Sequence, residues 1–219
     1  MRSLAVFIVV LMCCSILGCA KEEKKPTEPG EVSGDYTGFL MLKGGEWAEY
    51  TMTGGRTRYE YLGTDNYKGT ECILLEFHTT FSGMESISQI WIDKAKTKAV
   101  LFVVKQAGIV MKMEIGELPE VSQGMSETPS EYTPGKEVGI ETYKTPTGKE
   151  VKSAVFKFTS KDGHVHEEWV SAKVPFGIVK SIIDGTTTME LYDFASSGAK
   201  RDISKEEAEN AISMFDIPQ

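Results

Sequence analysis

The sequence predicts a mainly β domain of the α+β class: a strongly curved antiparallel sheet, or unclosed β-barrel, built from two meander repeats and ended by one C-terminal helix. Three observations carry this. Long runs alternate apolar and polar residues with a period of two, and turn signals such as Gly54-Gly55, Asp162-Gly163 and Asp184-Gly185 separate them. The stretch Trp91–Gly116, WIDKAKTKAVLFVVKQAGIVMKMEIG, is echoed by Trp169–Phe194, WVSAKVPFGIVKSIIDGTTTMELYDF; a shift of 78 positions puts Trp91 on Trp169, Val100 on Ile178 and Met111 on Met189. One such meander cannot bury its apolar face alone, whereas two in one sheet can. Finally, helix signals are confined to the C-terminal tail.

The first 18 residues read as an address and not as part of the fold. Arg2 supplies a positive start, Leu4–Leu17 an apolar run too short for a comfortable membrane span of roughly 20 residues. Ile16-Leu17-Gly18-Cys19 resembles the lipobox of prokaryotic lipoproteins, which implies cleavage before Cys19 and acylation of its thiol. Cys13 and Cys14 would leave with the signal, so Cys72 alone of the 4 cysteines would remain as a thiol. An intramolecular disulfide is thereby excluded, and Cys72, inside the apolar run ECILLEF, reads as a small buried hydrophobe.

Without Arg2 the chain holds 23 basic against 32 acidic residues. That balance argues against nucleic acid as a partner and against a polybasic hold on anionic lipid. Residues 19–35 include AKEEKKPTEPGEVSGD, charged, rich in Pro and Gly and nearly free of large apolar side chains, which reads as a tether. Residues 36–219 then form one β-rich domain, with halves at about 46–115 and 136–194.

In the first half, Glu46–Thr53 alternates and turns at Gly54-Gly55 into Arg56–Thr64. Thr70–Phe81, Ser86–Asp93, Ala99–Lys105 and Ile109–Ile115 follow. Met111, Met113 and Ile115 share one face of the last strand while Lys112 and Glu114 share the other. Gly116–Gly135 holds three prolines and four glutamates with no Lys or Arg; it reads either as a connector or as a cap over a binding cavity. The second half comprises Lys136–Lys144, Glu150–Ser160, His164–Ala172, Phe176–Ile183 and Thr186–Phe194. Ser204 with Glu207 three residues on makes a capping box, and Ala208, Ala211, Ile212 and Phe215 extend an apolar stripe, so the helix is expected at about 204–215.

Nucleophile elbows, phosphate loops, dinucleotide fingerprints, zinc-protease motifs, paired cysteines and calcium loops are absent from the sequence. No catalytic residue, metal or cofactor is expected, and the reading is a binding protein, not an enzyme. His164, His166 and Glu168 fall two apart, a spacing that could ligate zinc; directly after a hairpin turn it fits a solvated strand face better. Glu167 interrupts the apolar side of the same strand, either at the sheet rim or with Lys173 or Lys180 as partner. His78 ends an apolar strand with no partner visible in sequence. The stronger signal is apolar: Trp91, Phe102, Met111, Met113, Phe156, Phe158, Trp169 and Met189 all fall on strands, an adaptable surface suited to acyl chains if the sheet curls.

The phrases QIWIDKAKTKAVLFVV and EEWVSAKVPFGIVKSIIDG, with the lipobox and the acidic β-domain, resemble the LolA/LolB-type lipoprotein-carrier superfamily over roughly Glu46–Phe194. The resemblance implies a highly curved antiparallel sheet around an apolar cavity that accepts lipid chains. The chain departs from that pattern in having one helix where such carriers have several. The expectation is a lipoprotein of the cell envelope, held to a membrane by lipidated Cys19, its domain outside the cytoplasm and its apolar face binding a hydrophobic, lipid-like ligand. The alternative is an envelope structural or protein-interaction module with a filled core and no ligand cavity.

Overall fold

The structure is a computed structural model, and it describes residues 42–115, 136–160 and 162–215. Cys19, the tether and the 116–135 segment lie outside the described residues. The first half supplies β1 (Trp47–Met52), β2 (Gly55–Tyr67), β3 (Thr70–Phe81), β4 (Met84–Asp93), β5 (Lys98–Gln106) and β6 (Ile109–Glu114). The second supplies β7 (Lys136–Lys144), β8 (Glu150–Thr159), β9 (Val165–Val170), β10 (Ile178–Ile183) and β11 (Thr186–Ala195). Helix α1 (Lys205–Asn210) and the short β12 (Ile212–Ser213) close the chain.

The twelve strands among the described residues belong to one sheet in the order β12-β6-β5-β4-β3-β2-β1-β11-β10-β9-β8-β7. Each half is a meander, and the two join where the first strand of one meets the last strand of the other: Tyr50 pairs with Leu191 and Met52 with Met189. Tight turns make the meanders possible. Lys68-Gly69, Ser82-Gly83, Ala107-Gly108 and Asp184-Gly185 all take positive φ at both positions, the two-residue hairpin geometry whose twist matches that of the strands. At Gly55 the constraint is space, since a Cβ there would sit 1.8 Å from the Thr80 carbonyl oxygen.

The sheet bends sharply. β8 is three strands from β11 in the ladder, about 14 Å in a flat sheet. Yet the β7–β8 turn touches β11: Lys149 Nζ lies 2.7 Å from Asp193 Oδ1, and Thr147 Oγ1 is 3.0 Å from the same atom. The Tyr143 hydroxyl also donates to the Leu191 carbonyl at 2.7 Å. The curl buries Val151 and packs Tyr143 and Trp169 against the main core.

Alternation along β1–β6 sorts side chains onto two faces, both covered. One face carries the main core, in cross-strand rows such as Val104–Ser88–Phe77–Tyr59–Ala48. Its aromatics pack on one another: Tyr59 lies 5.1 Å from Tyr50, 5.0 Å from Phe77 and 5.7 Å from Phe176, the last two edge-on. Phe176 comes from the β9–β10 loop, where Val174 and Phe176 fold back onto the sheet and the Tyr50 hydroxyl reaches the Pro175 carbonyl. The opposite face carries Cys72, Leu74, Trp91, Leu101 and Val103, sealed by Ile203, Ala208 and Ala211 from the C-terminal segment.

The expected helix is shorter than its apolar stripe. The capping box forms as read, with Ser204 and Glu207 bonding each other's backbone N–H. The chain then extends at Ala211 (ψ 148°), and Ile212 pairs with Met111 in a parallel bridge beside β6. Continuing the helix would leave the edge of β6 unpaired, and β12 satisfies part of it instead.

Candidate functional site

The strongest concentration of buried charge lies where the C-terminal segment crosses the sheet. Arg58 and Glu60 of β2, Glu76 and His78 of β3 and Gln89 of β4 project from the second face, because positions two apart share a side. Glu76 is fully buried and Glu60 almost so. A buried carboxylate persists only with a full set of hydrogen bonds, and both have one. The Glu76 oxygens accept from His78 Nε2 at 2.9 Å, Gln89 Nε2 at 2.6 Å, and the backbone N–H groups of Asp202 and Ile203 at 2.8 and 3.1 Å. Glu60 accepts from Arg58 Nε at 2.7 Å and Lys200 N at 3.2 Å, with His78 Nε2 3.4 Å away.

Residues 197–204 thus form a strap stitched to the strands beneath it. The Trp47 indole donates to the Ser197 carbonyl, Ala199 N to the Gly45 carbonyl, Gln89 to the Ile203 carbonyl, and Arg201 to Asp65 at 2.8 Å. Arg58 also stacks over the Trp47 ring at 3.8 Å. Further along, Lys105 bonds Glu207, and Lys112 bonds the Glu209 carbonyl.

The electrostatics follow from this packing. Burial opposes charge on His78, but hydrogen bonds and charge from Glu60 and Glu76 outweigh it and push its pKa up to about 9. Burial also works against the Glu60 carboxylate, and His78 and Arg58 overcome it to hold that group below its ordinary value. Glu60, Glu76 and His78 each offer a ligand atom within 4.8 Å of the others. Those atoms already face N–H donors from the strap and from Arg58 and Gln89, so a cation there would displace the bonds that hold the strap. The cluster reads as a clasp.

The eight apolar residues expected to form a ligand surface divide between the two faces. Phe102 and Met113 pair directly, as do Val104 and Met111, on the main-core face. Phe156, Glu168, Ser181 and Met189 form one cross-strand row that continues to Met52 on that same face; Phe158 lies beside it, stacked on His166 with ring centroids 4.8 Å apart. Trp91 is on the opposite side, fully buried under the strap. Trp169 falls in the row Val155–Trp169–Lys180–Glu190, on the other side of β9 from Glu168, and the curl brings it against the main core. The structure therefore does not bring these eight onto one surface.

The internal duplication has a structural counterpart at the two tryptophans. Trp91 Nε1 donates to Gln89 Oε1 at 3.2 Å, and Trp169 Nε1 to Glu167 Oε1 at 2.7 Å. Each acceptor lies two residues before its Trp and next to a charged cross-strand neighbour, Glu76 for Gln89 and Lys157 for Glu167. Glu167 pairs with Lys157 at 2.7 Å, not with Lys173 or Lys180.

The His164, His166 and Glu168 row also differs from expectation. His164 precedes β9 and bonds Asp184, His166 stacks on Phe158, and Glu168 accepts from Ser181. Burial beneath its neighbours pushes Glu168 up to about 7, only partly offset by Ser181, so this end of the row is half-buried. The clasp itself was missed in sequence. Its one visible sign is Glu76, a lone carboxylate in the apolar run LLEF.

No protein-family model matches the chain, and no curated protein matches it. Among solved structures, it is similar to a Bacteroides fragilis NCTC 9343 protein described as exported with a YmcC-like fold: 11% identity, TM-score 0.33, covering 70% of this chain and 97% of that one. The comparisons do not support the resemblance to lipoprotein carriers.

Proposed function

We propose that this protein is a non-catalytic module of the cell envelope, held at a membrane by lipidated Cys19 and acting outside the cytoplasm through its surface. The supporting observation is the filled main core: Tyr50, Tyr59, Phe77 and Phe176 occupy the face that a carrier would keep open, and Val179 and Leu191 are wholly buried beside them. The purified protein should show no saturable uptake of fluorescent fatty-acid probes; saturable uptake at any chain length overturns the filled-core reading. For the anchor, an alkyne-tagged fatty acid should label the wild type in a bacterial host but not Cys19→Ser.

The second reading is a hydrophobic-ligand site, favoured by the row Phe156–Glu168–Ser181–Met189 with Phe158 and exposed Ile140 on the same side of β7–β11. It requires probe binding that Phe156→Ser and Phe158→Ser both weaken.

A further inference from the structure

The sheet has two ends, and its exposed charge divides unequally between them. At the end carrying the β1–β2, β3–β4, β8–β9 and β10–β11 turns, the exposed charged residues of those turns are Arg56 against Glu85, Asp162 and Asp184, among the described residues. The other end holds the β2–β3, β4–β5, β7–β8 and β9–β10 turns and the segment leading into β1. There Lys43, Lys68, Lys94, Lys96, Lys98, Lys144, Lys149 and Lys173 are exposed. The carboxylates among them are fewer and partly withdrawn: Glu46 and Asp93 are buried and accept from turn N–H groups, and Glu71 and Glu150 are the exposed ones in these turns.

We propose that this lysine-bearing end is the surface by which the domain rests on an anionic phospholipid bilayer. The proposal builds on the membrane-held reading above and adds the orientation. Two observations choose the partner. Lysines project from adjacent turns at one end of the sheet, where a charged plane can meet them together, and each lysine near an anionic surface is worth roughly fivefold in occupancy. The chain also reaches the domain at this end, through Leu42 and Lys43. Only 22 residues, Ala20–Met41, separate it from Cys19. The end through which the chain enters is therefore the one nearer the anchor along the sequence.

Existing pairs do not compete strongly. Lys68–Glu114, Lys94–Glu71 and Lys96–Asp93 are solvent-exposed at their lysines, and such pairs contribute little. Lys43, Lys98 and Lys173 make no ion pair among the described residues. The acidic balance of the whole chain conceals this polarity, because the compensating carboxylates lie elsewhere.

The full chain would be reconstituted into vesicles of phosphatidylcholine alone or with phosphatidylglycerol, and its lysines acetylated under limiting reagent. Lys43, Lys94, Lys96, Lys98 and Lys173 should label several-fold more slowly on anionic vesicles at low salt, with Lys157 and Lys180 unchanged, and protection should vanish at high salt where screening is short-ranged. Lys94→Gln/Lys96→Gln/Lys98→Gln should abolish the remaining protection at Lys43 and Lys173. Flotation with both vesicle types but uniform labelling overturns the orientation alone. Flotation with neither overturns membrane attachment as well.

Discussion

His78 is the residue on which the clasp turns. Its pKa is raised in the fold to about 9 from an ordinary 6.5. The stability it contributes is therefore complete below pH 6.5 and lost as the pH climbs to 9. His78→Gln should flatten the urea-midpoint profile across that window and destabilise the protein by about 1–3 kcal/mol near pH 6, since Glu60 and Glu76 lose a charged donor. Glu168 behaves in the same sense for a different reason. Burial lifts its folded pKa to about 7 from 4.5, so folding favours the neutral acid, and the benefit disappears as pH rises through 7. Glu168→Gln should raise the melting temperature at pH 8 relative to wild type and leave it nearly unchanged at pH 4.5. Neither effect was legible in sequence. Glu76 stands out in LLEF, but its partners Asp202 and Ile203 lie 126 and 127 residues away, and no local pattern connects them.

At the scale of elements, hairpins were the most readable part, because a two-residue turn with glycine at its second position and period-two alternation on both sides leaves few alternatives. The start of α1 was equally clear, and its end was not. Ala208 and Ala211 do face the sheet as the stripe implied, but Ile212 and Phe215 are half-exposed beyond it. The edge of β6 captures the chain before a third turn can form, a tertiary demand that outranks helix periodicity. In the cap, Lys105 and the N-terminal hydrogen bonds hold the Glu207 carboxyl down at about 2. Ser204→Ala should cost about 1 kcal/mol, measured by chemical denaturation. Because α1 sits over Trp91, the same change should increase acrylamide quenching of the indole fluorescence.

For the whole molecule, a mainly β curved sheet in two halves with one C-terminal helix was legible, since alternation and repeat length both point to it. How the halves join was not, because β1 and β11 are paired by geometry across most of the chain. The curl also divided the residues expected on one surface, carrying Trp91 beneath the strap and Trp169 to the face that β7 and β8 fold over. Trp91→Ala should remove about 3–5 kcal/mol and leave membrane flotation intact, whereas Cys19→Ser should do the reverse.

The strap is also a matter of timing. One face of β2 to β5 is sealed by Ile203, Ala208 and Ala211, which are made after every strand they cover, and the second edge of β1 waits for β11. A growing chain can form the hairpins of its first half, but the clasp on Glu76 cannot close before Asp202 and Ile203 have been made.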